Sequence, residues 1–324
     1  MAYHVHIADN TPAPEYLSAL HTSLDAGIEV STGPETDAPE HTQALVSGWP
    51  SEGLLDRLAR LDALVIPFAG LPVSTAKRVT GRSIRVYNLH HNAAAASEMA
   101  VALLFAAAKC IVPMDQSLRA SDWRPRYAAD PGVMLSGRRA LVLGYGAIGR
   151  RIATALAALD MDVTAIRRSN KDLSGPIPIH TLESLPALLS KADVLMSALP
   201  GTPQTHGLLG ATQLDTLPPK AIFVNVGRAR VVDEQALFTA LETGILHSAG
   251  LDVWYQYPND AASREDTAPS AFPFHTLNNV VLSPHRAGHG VASERLRGIH
   301  LSNTLNALAE GIEPTCRVCL EAGY

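Results

Sequence analysis

"RALVLGYGAIGRRIATALAAL", residues 139–159, decides the fold class. A short apolar run leads into Gly144, Gly146 and Gly149, and a segment rich in Ala and Leu follows. A strand, a G-x-G-x-x-G turn and a helix in that order carry far more information than the glycines alone. Gly144 permits a tight turn. Gly146 lets the backbone approach a pyrophosphate, and Gly149 lets strand and helix pack closely. Ala147 and Ile148 fill the positions between them and open the helix, whose unpaired N–H groups favour an anion. The stretch therefore predicts a dinucleotide-binding βαβ unit.

The pattern continues on both sides. Downstream, "DVTAI", "ADVLMSAL", "AIFVNV", "SAGLDVW" and "NVVLSPH" read as strands, with helices such as "DEQALFTALETG" between them. Upstream, "HVHIA" (4–8), "ALVSG" (44–48), "ALVIP" (63–67) and "IRVYN" (84–88) read as strands separated by helical stretches. An Ala-rich helix over 92–109 is broken by Pro113, and the polar, turn-rich residues 115–137 read as a crossing segment. Residues 290–311 have helical spacing and are expected to return to the first domain. Such alternation predicts an α/β protein of two Rossmann-like domains, parallel sheets flanked by helices. The expected division is 1–112 plus 289–324 for substrate and 113–288 for the dinucleotide.

The totals agree with this reading. At 324 residues the chain is comfortable for two domains, and 47% hydrophobic with 18% charged residues is ordinary globular composition. A formal charge of −5 without a basic tract argues against nucleic acid, and 5% aromatic content offers little for base stacking. The apolar run 99–108 is too short to span a bilayer, and no secretion signal is apparent at the N-terminus. Three cysteines argue against a disulfide framework, and a cytoplasmic protein is expected. Cys316 and Cys319 form a C-x-x-C without the second pair that a zinc site needs, so no metal is expected.

Two local features refine the function. The strand after the glycine loop ends "DVTAIRRSNK", with Arg167 where a ribose-binding carboxylate is expected. Arg167, Arg168 and Ser169 offer charge-assisted bonds to a 2′-phosphate, which predicts NADP(H) preference with NAD(H) as the alternative. Separately, the apolar strand 221–226 ends on Gly227 and Arg228. Two readings stay open for Arg228: a surface cation, or a cation aimed at an anionic substrate where parallel strands open their carboxyl ends.

"ASEMAVALLFAAAK", "LVLGYGAIG", "LPGTPQTHGLL", "NVGRARVVDEQAL", "AGLDVW" and "LSPHRAG" occur in order. Through them the sequence resembles the D-isomer-specific 2-hydroxyacid dehydrogenases, most clearly over 92–310. The resemblance implies a cleft between the domains, usually a homodimer, and a small 2-oxoacid or D-2-hydroxyacid substrate, with glyoxylate and hydroxypyruvate the first to test. It makes Arg228 the catalytic arginine, whose fork of donors holds a 2-oxoacid and the oxyanion formed on reduction. It makes His285 the acid/base, suited to proton transfer near neutral pH. Leu199, Pro200, Thr205, Val226, Gly227, Asp252 and Gly288 are the further expected cofactor neighbours. The first domain's turn "PFAGLP" offers Phe68, Ala69 and Gly70 to the substrate, and "NLHHNA" adds His90, His91 and Asn92.

One departure matters. The family pairs its histidine with a glutamate, and here that position is Tyr257. A phenol orients an imidazole without supplying full negative charge, so a lowered His285 pKa is expected. A gap in the match would bring Asp260 or Glu265 to the ring instead. Gln256, one place before Tyr257, invites comparison with formate dehydrogenases, in which no acid/base is required. A dinucleotide-binding regulatory protein with an impaired site is the remaining alternative.

Overall fold

In the computed structural model the described residues are 2–9, 11–128, 132–168, 175–290, 292–321 and 323. They fall into two compact units, Met1–Asn92 with His289–Tyr324, and Ala93–Gly288.

Unit 1 holds β1 (Tyr3–Ala8), β2 (Ile28–Gly33), β3 (Ala44–Val46), β4 (Ala63–Ile66) and β5 (Arg85–Asn88) in one parallel sheet of order β2-β1-β3-β4-β5. All four residues of β4 are fully buried, because a parallel sheet here is covered on both faces. One face packs with α1 (Pro14–Ser23) and the chain's last helix, α11 (Ser293–Ala309). The other packs with α2 (Glu52–Arg57) and α3 (Val73–Val79). Ser51 caps α2 by accepting from the Leu54 N–H, and Pro14 opens α1 where its missing N–H costs nothing. β2 has no continuous apolar run, because it is an edge strand with half-exposed side chains. The C-terminal tail continues past β5: Val318 N–H donates to Val86 and Asn88 N–H donates to Cys316.

Unit 2 holds β6 (Arg139–Leu143), β7 (Asp162–Ile166), β8 (Ile179–His180), β9 (Val194–Ser197), β10 (Ala221–Asn225), β11 (Leu246–Leu251) and β12 (Val280–Leu282). The sheet is parallel throughout, in the order β12-β11-β10-β9-β6-β7-β8. Its first strand, β6, therefore lies between β7 and β9, and the strand order reverses there. On one face lie α4 (Ala93–Ala108), which bends by 65° into α5 (Ile111–Arg119), and α7 (Ala147–Ala157). The short α6 (Arg124–Tyr127) precedes β6 in the chain. α8 (Leu185–Leu189), α9 (Ala211–Thr216) and α10 (Glu234–Glu242) supply the other face. Asp233 caps α10 through the Ala236 N–H.

Two boundaries differ from the sequence reading. The first junction is at Asn92/Ala93 rather than 112/113, because α4 belongs to the sheet of unit 2. Ser248 on β11 donates to the Ala107 carbonyl, and Gly250 leaves room for Leu103 against that strand. The long helix ends at Ala108, and Cys110 takes a left-handed conformation, so Pro113 lies inside α5 rather than at the break. Part of 115–137 is thus helical. Among the described residues no single helix is long and apolar enough to cross a membrane.

The return of α11 to unit 1 rests on a close approach. A Cβ at Gly298 would lie 2.4 Å from the Tyr16 carbonyl oxygen and 2.9 Å from the Leu20 nitrogen. Gly298→Ala should therefore force α1 and α11 apart and lower stability by about 1–3 kcal/mol. Urea unfolding of the two proteins measures this, and an unchanged midpoint would contradict the packing described.

Candidate active site

The carboxyl ends of the unit 2 strands come together through backbone. Gly144 N–H donates to Ile166, Ala198 N–H to Leu143, Val226 N–H to Ser197, and Asp252 N–H to Asn225. A Cβ at Gly149 would sit 1.7 Å from the Gly144 carbonyl, so strand and helix meet as the spacing predicted. Gly144 has φ of 93°, and Gly146 faces open space at the start of α7, followed by Ala147 and Ile148. These features fit a dinucleotide pyrophosphate. Leu199 and Pro200 leave β9 beside this loop, and the Leu199 backbone is in close contact with Gly227. Arg167 and Arg168 leave β7 next to it, while Ser169 lies outside the described residues.

Arg228 sits one turn beyond β10. Its guanidinium donates to the Gly227 carbonyl at 2.7 Å and its stem lies against Gly201. The turn is pinned by Asn225, which is buried at the end of an otherwise apolar strand. Its Oδ1 accepts from Gly227 N–H and its Nδ2 donates to the Arg228 carbonyl. The lone amide in "AIFVNV" is the sequence signal for this anchor.

His285 follows β12 with φ of 56°, a backbone region that non-glycine residues seldom occupy. Asp252 holds it there. This carboxylate, expected beside the cofactor, is 0% exposed and bonds to the histidine's loop. It accepts from the Ser283 hydroxyl, the Arg286 N–H at 2.8 Å and the Ala287 N–H at 2.9 Å. Trp254 adds an indole N–H bond to the Ser283 carbonyl at 2.8 Å. The loop's last glycine, Gly288, closes the unit.

Tyr257 is the ring beside His285, with centroids 5.4 Å apart. Its hydroxyl accepts from the Trp254 N–H at 3.0 Å. Burial pushes its pKa up, with the Trp254 bond and the nearby Arg228 charge opposing, so a neutral phenol faces the imidazole. Arg228, Tyr257 and His285 are all exposed, whereas Asn225, Asp252, Trp254 and Ser283, which position them, are buried. Asp260 closes a local turn with Ser263, and Gln256 donates its backbone N–H to Pro269.

The Thr205 hydroxyl donates to the Pro200 carbonyl and accepts from the Thr202 N–H, which ties the loop after β9 together. In unit 1 the turn at Phe68, Ala69 and Gly70 follows β4, held by Asn88, whose side-chain amide donates to the Ala69 carbonyl at 2.6 Å. His90 is exposed. His91, expected to reach substrate, is 8% exposed, and its buried Nδ1 has no hydrogen-bond partner among the described residues. Burial first, then the neighbouring Arg297, His300 and His90, push its pKa down to about 4. Asn92 keeps a buried Oδ1 just before α4.

A family model for the NAD-binding domain of D-isomer specific 2-hydroxyacid dehydrogenases matches residues 101–287. The chain belongs to that family. It is similar to a glycerate dehydrogenase of Methylorubrum extorquens, 29% identical over 315 residues covering 89% of this chain and 94% of that protein. A glyoxylate/hydroxypyruvate reductase B of Enterobacter sp. is 32% identical over 221 residues, covering 67% of this chain and 65% of that protein. Among solved structures, a D-isomer specific 2-hydroxyacid dehydrogenase from Xanthobacter autotrophicus Py2, in complex with NADPH and MES, matches over 100% of both chains. Its TM-score is 0.83 and its identity 25%.

Two variants separate positioning from charge. In Asp252→Asn the amide NH₂ must face a backbone N–H, so the His285 loop loosens. Reduction should fall about a hundredfold while dinucleotide affinity is kept; a matching loss of affinity would return Asp252 to the cofactor. In Tyr257→Glu a carboxylate beside the imidazole raises its pKa. With the imidazole as the expected proton donor, the decline of reduction with rising pH should move to higher pH than in the unaltered protein. A pH profile of kcat/KM that does not move would separate the two side chains.

Proposed function

We propose that this protein is an NADP(H)-preferring oxidoreductase that reduces small 2-oxoacids and oxidises the corresponding D-2-hydroxyacids. The observation that carries this reading is the gathering of Arg228, Tyr257 and His285 at the strand ends that also carry the glycine loop. A nicotinamide held at the glycine loop would supply or accept the hydride at the substrate's carbonyl carbon. Arg228 holds the carboxylate and carbonyl oxygen and stabilises the alkoxide that develops. His285 gives that oxygen its proton in reduction and removes it in oxidation. Tyr257 orients the imidazole.

Glyoxylate and hydroxypyruvate are the first substrates to test, and the names of the curated relatives support that choice. Retention of both Arg228 and His285 in ordered turns disfavours the impaired-protein reading. The residue beside His285 is Tyr257 rather than Gln256, which disfavours the formate reading. We also propose a homodimer. Ile111, Leu118, Trp123, Tyr127 and Met134 are all exposed on and around α5 and α6, an apolar face suited to a second copy.

Steady-state turnover of a 2-oxoacid panel with NADPH and with NADH tests the reading. NADPH should be preferred, because a guanidinium bond to the 2′-phosphate contributes about 1.5–3 kcal/mol. Arg167→Asp should lower the NADPH-to-NADH ratio of kcat/KM by about tenfold or more. A preference for NADH in the unaltered protein would refute the cofactor assignment. Dinucleotide binding without turnover of any acid would favour the impaired protein.

A further inference from the structure

The segment that follows β11, residues 252–257, is tied down at several points within unit 2. The Asp252 N–H donates to the Asn225 carbonyl, and the Tyr255 and Gln256 N–H groups both donate to the Pro269 carbonyl. The Tyr255 hydroxyl donates at 3.0 Å to the carbonyl of Val232, on the turn that Arg228 opens. The buried Trp254 bonds through its indole N–H to Ser283, on the loop that carries His285. This segment is therefore anchored to both of its functional neighbours, and Tyr257 ends it.

The Tyr257 side chain is itself fixed. Its ring lies 5.4 Å from the imidazole of His285, with the two planes inclined by 50°. Its hydroxyl accepts from the Trp254 N–H at 3.0 Å. That bond uses an oxygen lone pair and leaves the phenolic hydrogen without an acceptor among the described residues. Accepting one hydrogen bond also polarises a hydroxyl toward donating another. Burial keeps this phenol neutral, with the Arg228 charge opposing and the Asp252 charge adding to the effect, so the hydroxyl lies in the field of both groups. The side chain is 45% exposed, so a small ligand reaches it. An ionised carboxylate at this position has acceptors only. The phenol offers a donor.

Reduction of a 2-oxoacid moves the carbonyl π pair onto oxygen, and donors already in place stabilise the charge that grows there. That oxygen is the one substrate atom that Arg228 and His285 both serve, so a fixed donor beside both is best used on it. We propose that the Tyr257 hydroxyl is a catalytic group in its own right, donating a hydrogen bond to the substrate's carbonyl oxygen alongside Arg228. The inference rests on the proposed 2-oxoacid reduction and adds a residue to it. The phenol keeps its proton throughout. Hydride adds at carbon, the π pair becomes an oxygen lone pair, and the proton that completes the new hydroxyl comes from His285.

Tyr257→Phe keeps the ring against His285 and removes the hydroxyl. With the full chain, NADPH and the fastest acid of the 2-oxoacid panel, kcat should fall about a hundredfold, with the loss mainly in kcat rather than KM. The pH at which kcat/KM declines should stay where it is in the unaltered protein, because the group removed is neutral. A ring that only orients the imidazole is preserved in this variant, so an unchanged kcat would overturn the proposal. Tyr257→Phe also strips the Trp254 N–H of its acceptor, and Tyr257→3,5-difluorotyrosine separates that effect. The fluorinated phenol is a stronger donor and a weaker acceptor. At a pH where absorbance shows it neutral, kcat should rise above that of the unaltered protein; a fall, or no change, would confine the hydroxyl to holding the turn. Oxamate, whose amide carbonyl is not reduced, gives a reading without turnover. Calorimetry with NADPH present should show about tenfold weaker oxamate binding in Tyr257→Phe. Weakened oxamate binding in a protein that turns over no acid would leave the donor standing and remove the proposed reaction. Turnover that Tyr257→Phe leaves intact would remove the donor alone, and neither turnover nor oxamate binding would remove both.

Discussion

Backbone meeting backbone, with no side chain between, is the constraint on which unit 2 depends. Gly149 brings α7 against the Gly144 carbonyl at a separation that no Cβ tolerates, and Gly227 approaches the Leu199 backbone almost as closely. These contacts draw the loops after β6, β9 and β10 into one surface at the carboxyl ends of these strands. A side chain at either glycine would push the glycine loop away from the turn that carries Arg228. The glycine loop and the turn that carries Arg228 are therefore one packing problem.

A second layer turns that surface into a chemical site. The Asp252 carboxylate, fully buried, is tolerated because three donors from the His285 loop surround it. Asn225 does the same for the Arg228 turn with a neutral amide. In both cases a buried polar group is satisfied by backbone, and an exposed group a few residues along the chain is held in place. His285 sits in a left-handed turn that such anchoring sustains. Tyr257 adds a neutral neighbour to the imidazole.

In unit 1 the same sheet edge does different work. Its strand ends open onto a cavity lined by aromatic rings and by acidic and basic side chains whose bonding is partly completed within the chain. His91 contrasts with His285. Both follow strands, but burial leaves His91 neutral and packed, whereas His285 is presented to solvent. Position after a strand is not enough to make a histidine reactive.

The sequence by itself determined the two parallel sheets, the glycine loop and the candidate pair Arg228 and His285. Continuous apolar runs mark strands covered on both faces, and glycine spacing reports a backbone approach that only glycine permits. Edge strands such as β2 and β8 escaped that reading, because half-exposed strands carry no such run. Tertiary structure alone assigned α4 to unit 2, gave Asp252 and Thr205 their bonds within the loops, and buried His91. Each of these depends on which partner a side chain meets across many residues of chain. Hydrophobic period and local spacing describe a residue's own element, and they carry no record of that partner.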